Sequence, residues 1–223
     1  RRVLFRSKIK MKIIVISNNK TIENEDKIIT KLFEAGLDNF HLRKPRMSTK
    51  GLATFLEKIP EHFHNRIVIH SHHNLAAKFK LKGIHITKSH LKNLRRTKWK
   101  LWILSFRRPL KNLTLSTSIS QLPDIYKPDE FGYNYIFLNP IFNPLTGKLQ
   151  NGFYEQGLKA ANEKSGKQLI ARGGVNISSI EIIQHLGFHG LALNSSIWSN
   201  EDPVNYFLKI TDECQRLGIK INP

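Results

Sequence analysis

The sequence predicts a single α/β domain of the (β/α)8 (TIM) barrel class, on three observations. Eight short β-rich runs alternate with helix-period stretches along the 223 residues, which is the pattern of a parallel sheet linked by crossover helices. No shift in composition marks a linker. Eight units at this length is the count of a compact closed barrel with its helices outside. A doubly wound open sheet is the alternative topology, and the strand count favours the barrel.

The elements follow in order. "KIIVIS" (12–17) is an unbroken apolar run, as expected of a strand buried on both faces. "DKIITKLFEAG" (26–36) places Ile28, Leu32 and Ala35 on one helical face, with Gly36 as the stop. "NFHLR" (39–43) is a second strand, and "STKGLATFLEKI" (48–59) a helix capped by Ser48 or Thr49. "RIVIH" (66–70) and "GIHI" (83–86) are the third and fourth strands, with a short helix from Asn74 to Phe79 between them. A basic, poorly patterned stretch follows, in which "KLWILSF" (100–106) fits either a strand or a loop. "LTLSTS" (113–118) is the fifth strand, followed by a helix near Gln121 to Tyr126. "YNYIFL" (133–138) is the sixth, and a long loop leads to a helix at 154–164. "QLIA" (168–171), a helix at 177–186, "GLALN" (190–194) and a last helix with Pro203 at its first position complete the series.

Charge is the strongest compositional signal. Lys and Arg number 36 against 17 Asp and Glu, a formal net charge of +19. Such a chain attracts polyanions: phosphorylated small molecules, nucleic acid or an acidic membrane surface. The densest cluster, "KNLRRTKWK" (92–100), reads as a solvated loop or helix face. No RNP-type aromatic motif, zinc finger or helix-turn-helix spacing accompanies it, so nucleic acid is not the expected partner. No run of eighteen apolar residues exists, so no membrane span is expected. Residues 1–10 read as an extension outside a barrel domain of 11–223, with Met11 as the natural start. The apolar patch Ile13 to Ile16 is too short for the core of a signal peptide. The single cysteine, Cys214, excludes an internal disulfide and a Cys-based zinc site, and suits a reducing cytoplasm.

In a barrel of this class the active site lies at the C-terminal ends of the strands, and the loops after strands seven and eight often bind phosphate. The chain places Gly173-Gly174 after the seventh strand, with Asn176 where a helix cap would sit, and Ser195-Ser196 after the eighth. Glycine lets backbone approach an anion closely and adopt positive φ. Backbone N–H groups and the two serine hydroxyls would then surround a phosphate. A tight turn is the alternative reading of Gly-Gly alone; the pairing of the two loops favours the cradle.

These residues carry a resemblance. From Met11 onward the chain resembles the thiamine-phosphate synthase and thiazole tautomerase family of barrels. "GLDNFHLRKP" resembles the family's Gly-x-x-x-x-Gln-Leu-Arg-x-Lys segment, "KGIHI" its Asp-Gly-Val-His-Leu, and "LSTS" its Ser-x-His. "YNYIFLNPIFNPLTGK" resembles Asp-Tyr-x-x-x-Gly-Pro-Ile-Phe-x-Thr-x-Thr-Lys. "IARGGVN" and "GLALNSSIW" resemble Ala-Ile-Gly-Gly-Ile-Asn and Gly-Val-Ala-Val-Ile-Ser-Ala-Ile. The resemblance implies a transferase joining hydroxymethylpyrimidine diphosphate to thiazole phosphate, with release of pyrophosphate. It also implies roles. Arg43 holds pyrophosphate, Ser116 contacts it and Lys148 assists, while Thr146, Gly174 and Ser195 hold the thiazole phosphate; Gly173 and Ser196 join the cradle from the loop reading above.

The departures from the family are as informative. Ser71 and His90 stand where the family carries the two aspartates that bind Mg2+, a hard ion that prefers carboxylate oxygen. A Mg2+ ion would therefore be weakly bound or carried in by the substrate. Pro45 replaces the family lysine, flanked by Lys44 and Arg46, and Ser118 replaces the histidine used for proton transfer in the tautomerases. A tautomerase-like enzyme and a non-catalytic barrel that binds thiazole phosphate or thiamine phosphate are the alternative readings. His70, His72, His73, His85 and His90 are dense, but their spacing matches no zinc motif. They read as polar residues of a phosphate-binding mouth, where His90 and nearby lysines offset phosphate charge.

Overall fold

A computed structural model describes residues 10–144 and 146–221. Eight parallel strands close into a barrel. They are β1 (Lys10–Ile16), β2 (Asn39–Leu42), β3 (Ile67–Ile69), β4 (Gly83–Ile86), β5 (Thr114–Ile119), β6 (Tyr135–Leu138), β7 (Leu169–Arg172) and β8 (Gly190–Leu193). Neighbours pair in sequence order, and β1 closes the ring by pairing with both β2 and β8. A ninth strand, β9 (Lys220–Ile221), adds outside the ring, with Lys10 opposite Lys220 and Met11 opposite Ile221. Lys10, assigned to an extension on sequence grounds, is thus the first residue of β1; residues 1–9 lie outside the described residues.

Nine helices surround the ring among the described residues: α1 (Glu25–Glu34), α2 (Thr49–Glu57), α3 (Leu75–Lys78), α4 (Lys88–Lys92), α5 (Leu94–Arg107), α6 (Glu155–Lys164), α7 (Ile180–His185), α8 (Ser195–Trp198) and α9 (Pro203–Arg216). Ser48, not Thr49, caps α2, its side chain accepting from the Gly51 amide. The buried face of α1 is Ile29, Leu32 and Phe33, with Ile28 and Ala35 half-buried beside it. "KLWILSF" belongs to α5, which buries Thr97, Leu101 and Leu104 at helical spacing. Its exposed Trp99, Trp102 and Phe106 interrupt the apolar period and hide that pattern in the sequence. The helix expected near 121–126 is a 3-10 turn, Leu122–Tyr126, containing Pro123, whose ring removes a backbone donor. The helix expected at 177–186 divides into a 3-10 turn, Ile177–Ser179, and α7.

Two apolar regions result. The larger fills the space between strands and helices. The smaller, made of Ile14, Ile16, Tyr135, Phe137, Ile170 and Ala192, lies inside the ring. The seam between β8 and β1 is tied by side chains: Asn194 donates to the Ile16 and Ser17 carbonyls, both at 3.0 Å, and the Trp198 indole donates to Ile16 at 2.7 Å. No helix among the described residues is long and apolar enough to cross a membrane.

Candidate functional site at the mouth of the barrel

All strands are parallel, so every loop that follows a strand opens at one end of the ring. β6, β7, β8 and β1 fill their share of the interior with apolar side chains and Tyr135. The share of β2 to β5 is polar, because His41, His85 and Ser116 take the inward positions and His70 directly follows β3. Contacts across the ring confirm the direction: the His41 ring centre lies 5.0 Å from Phe137 and 5.8 Å from Tyr135, on a strand that is not its neighbour.

These groups form one network. His41 Nε2 lies 2.5 Å from the Tyr135 hydroxyl and His41 Nδ1 lies 2.9 Å from His70 Nε2. His85 Nδ1 lies 2.9 Å from Ser116 Oγ and His85 Nε2 lies 3.2 Å from Ser118 Oγ, while the His70 and His85 rings stack at 4.1 Å. Burial drives the pKa of His41, His70 and His85 well below the usual imidazole value, and Arg172 pushes each the same way. All three are neutral at pH 7. Ser116, assigned to pyrophosphate from the resemblance, is wholly buried in this network. Ser118 is engaged with His85.

Two arginines face the mouth above this layer. Ser17 Oγ accepts from the Arg43 amide at 2.7 Å and donates to the Arg43 carbonyl at 3.1 Å, which fixes the backbone there. Its guanidinium donates to Asn19 at 2.8 Å. Arg172, at the end of β7, lies with its guanidinium 5.8 Å from the Phe137 ring centre. Burial first, then the charge of Arg43, lowers its pKa to about 10. Among the described residues neither guanidinium has a carboxylate within ion-pair distance. Both arginines are part-buried, and two neighbouring guanidiniums without a carboxylate favour an anion between them. Lys44 does not contribute: its ammonium is buried against Glu25 at 2.5 Å and the Asn18 and Lys20 carbonyls at 2.8 Å. Arg46 is exposed.

The glycine loop takes the expected place beside the β8 loop, since β7 and β8 are paired neighbours. Gly173 and Gly174 have φ of +86° and +69°. A Cβ on Gly173 would lie 2.7 Å from Asn139 Oδ1, and one on Gly174 2.5 Å from the Phe142 carbonyl. The loop after β6 is thus seated on the glycines, joined by the Ile141 amide to the Arg172 carbonyl at 2.9 Å and the Phe142 amide to Gly173 at 3.0 Å. Asn176 acts as the cap, its amide donating to Ser179 Oγ at 3.0 Å. Ser195 is exposed, and Ser196 Oγ is buried with no hydrogen-bond partner. Thr146 and Lys148 are exposed in the β6 loop, where the Lys148 amide donates to Thr146 Oγ1 at 3.4 Å.

On the opposite rim a cavity of about 670 Å3 is lined by His72, His73, His90, Arg96, Lys100 and Arg107 with no carboxylate. His90 is the N3 member of the capping box of α4, whose cap is Thr87: its Nδ1 accepts from the Thr87 amide at 3.1 Å. Burial, then Lys100, lowers its pKa, so Arg96, Lys100 and Arg107 supply the positive charge there rather than His90. Ser71 Oγ is buried without a partner. A hydroxyl and a capping imidazole do not fit Mg2+.

A family profile described as thiamine monophosphate synthase matches residues 13–197. The chain belongs to the thiamine monophosphate synthase family. It is 24% identical over 188 residues to a thiamine-phosphate synthase of Prochlorococcus marinus, covering 84% of this chain and 48% of that protein. To the Vibrio campbellii thiamine-phosphate synthase it is 36% identical over 93 residues, 41% of this chain and 46% of that protein. The chain thus spans about half the length of these curated relatives. A Flavobacterium johnsoniae thiamine-phosphate synthase is 24% identical over 203 residues, 86% of this chain and 90% of that one. The crystal structure of thiamine phosphate pyrophosphorylase from Bacteroides thetaiotaomicron superposes with a TM-score of 0.72 at 27% identity, covering 92% of this chain and 98% of that one.

Set against the family segments quoted above, two groups that fill the mouth are departures. His41 stands where the family has glutamine and Arg172 where it has isoleucine. Tyr135 falls on the tyrosine of the family's Asp-Tyr-x-x-x-Gly-Pro-Ile-Phe segment, whereas His41 and Arg172 match no motif. Their mismatch to the family segments was the one mark in the sequence that could have singled out His41 and Arg172.

Proposed function

We propose that the protein is a thiamine-phosphate synthase-type transferase, joining hydroxymethylpyrimidine diphosphate to thiazole phosphate and releasing pyrophosphate in the cytoplasm. The observation that carries this reading is the carboxylate-free pair Arg43 and Arg172, set between the glycine loop and the basic rim cavity. The C–O bond between the pyrimidine methylene and the diphosphate breaks, and its electron pair leaves with pyrophosphate. Arg43 and Arg172 meet that growing charge with preorganised donors. The thiazole nitrogen then attacks the methylene carbon, forming the C–N bond. Gly173, Gly174, Ser195 and Ser196, with Thr146 and Lys148 from the loop above, hold the thiazole phosphate so that its ring faces the methylene. Ser116 and Ser118 act beneath the mouth by holding His85. Any Mg2+ arrives on the diphosphate, and no ligand for it is assigned in the chain.

A steady-state assay with both substrates and Mg2+ tests the reading, with thiamine phosphate and pyrophosphate as the products to detect. Arg43→Ala is expected to lower turnover or diphosphate affinity about 10-fold or more, and Ser195→Ala to weaken chiefly thiazole phosphate. Equal effects of both variants on both ligands would contradict the division of the site. The second reading, a barrel that binds without catalysis, is favoured by the loss of both family aspartates at Ser71 and His90. It prevails if thiazole phosphate binds in calorimetry while no product forms at any Mg2+ concentration.

A further inference from the structure

We propose that His41, His70 and His85 form a tris-imidazole site for a divalent transition-metal ion of the zinc class, inside the barrel below the mouth. One ring nitrogen from each residue lies within 4.8 Å of one from each of the others, and all three side chains are buried. Tetrahedral zinc with Zn–N of about 2.0–2.1 Å holds its ligand nitrogens roughly 3.3 Å apart. The 2.9 Å contact between His41 and His70 is tighter than this and the remaining separations reach at most 4.8 Å, so the rings must rotate and draw together on binding.

The surrounding hydrogen bonds favour ligation by His41 Nδ1, His70 Nε2 and His85 Nε2. The far nitrogens of His41 and His85 are already held, by the Tyr135 hydroxyl at 2.5 Å and by Ser116 Oγ at 2.9 Å. His85 Nε2 would exchange its longer 3.2 Å contact with Ser118 Oγ for the metal. Oxygen partners on the far nitrogens fix ring orientation and tautomer, as outer-shell groups do at metal sites. Binding would shift the His41 proton to Nε2, which donates to Tyr135, while Tyr135 donates in turn to Ser116; no proton leaves the protein. Neutral imidazoles are competent ligands, and burial keeps these neutral.

The donor set selects the ion. Three nitrogens with no carboxylate suit zinc or cobalt and not Mg2+ or Ca2+. The nearby charges of Arg43 and Arg172 repel a dication, so the fourth ligand must be an anion, hydroxide or a phosphate oxygen, entering from the mouth. The site rests on these three side chains and not on the transferase reading.

The test is metal binding by the full chain without any phosphorylated substrate. Protein stripped with a chelator is titrated with Co2+ and Zn2+. One tightly bound equivalent is expected, with Co2+ giving the intense visible bands of tetrahedral coordination. His70→Asn and His41→Gln should each lower Zn2+ affinity about 100-fold or more. A variant lacking His72, His73 and His90 together should keep the full equivalent. Where a buried-site variant does not fold, X-ray absorption on the zinc-loaded parent decides, three imidazoles in the shell being required. No tight equivalent, fewer than three imidazoles, or tight binding retained in folded His70→Asn would overturn the proposal.

Discussion

Arg172 rests with its guanidinium 5.8 Å from the centre of the Phe137 ring, at the end of β7, where its charge acts on both Arg43 and the buried histidines. An aromatic face offsets part of the cost of burying a cation, but no carboxylate completes the compensation. Arg172→Leu is therefore expected to weaken diphosphate binding about 10-fold or more, roughly 1.4 kcal/mol. The melting temperature should stay level or rise, because a part-buried charge without a carboxylate partner has been removed. Calorimetric binding and thermal unfolding check this; a lower melting temperature with unchanged affinity would make Arg172 a structural residue.

Gly174 and Gly166 share nearly the same backbone, φ of +69° and +64°, yet differ in surroundings. A Cβ at Gly166 meets nothing within 4 Å, whereas one at Gly174 lies 2.5 Å from the Phe142 carbonyl. Gly166→Ala should cost about 1 kcal/mol, the left-handed penalty alone. Gly174→Ala should cost at least about 2 kcal/mol more, from the overpacking, and should weaken phosphate binding by moving the loop. Urea unfolding of the two variants separates strain from clash.

Lys44 and Glu25 form a buried ion pair that holds the ammonium out of the mouth, with side chains 3% and 1% exposed. Burial raises the Glu25 pKa despite the lysine. Lys44→Met would leave that carboxylate unpaired and should cost about 3–5 kcal/mol. The double variant with Glu25→Gln should recover a substantial part of the loss. Additive losses in urea unfolding would show that the pair is not coupled. The Lys44 side chain reaches no ligand position, so diphosphate affinity should change little in any variant that folds.

The pH dependence of stability should carry the signature of His73, whose pKa burial and His90 lower to about 3. An unfolded histidine titrates near 6.5. Between that value and about 3 the unfolded chain binds a proton that the folded one does not. Stability is thus complete above pH 6.5 and falls with acidification by about 1.4 kcal/mol per pH unit. Comparing parent and His73→Asn at pH 7.5 and 5, with chelator present, isolates this group: the variant should lose less stability on acidification. Parallel losses would mean that His73 stays exchangeable with solvent in the folded state.

Much of this molecule was legible in its residues. The apolar runs, their spacing and the stop signals such as Gly36 sufficed for eight strands and a closed barrel, because strand and helix periods are local properties of the chain. The loops after β7 and β8 could be paired from sequence for the same reason: in a parallel ring, consecutive strands put successive loops at one end. The family resemblance rested on short segments read in order. α5 was not legible, since Trp99, Trp102 and Phe106 face solvent and break the apolar period that buried residues would show. Nor could any local rule remove Lys44 from the mouth, a matter decided by Glu25, which lies nineteen positions earlier on α1. Alternation tells which residues point inward but not which inward residues meet. His41, His85 and Tyr135 come together because strand tilt and closure bring β2, β4 and β6 to one level of the interior. That level is set by the packing of the whole ring, and only the tertiary structure decides it.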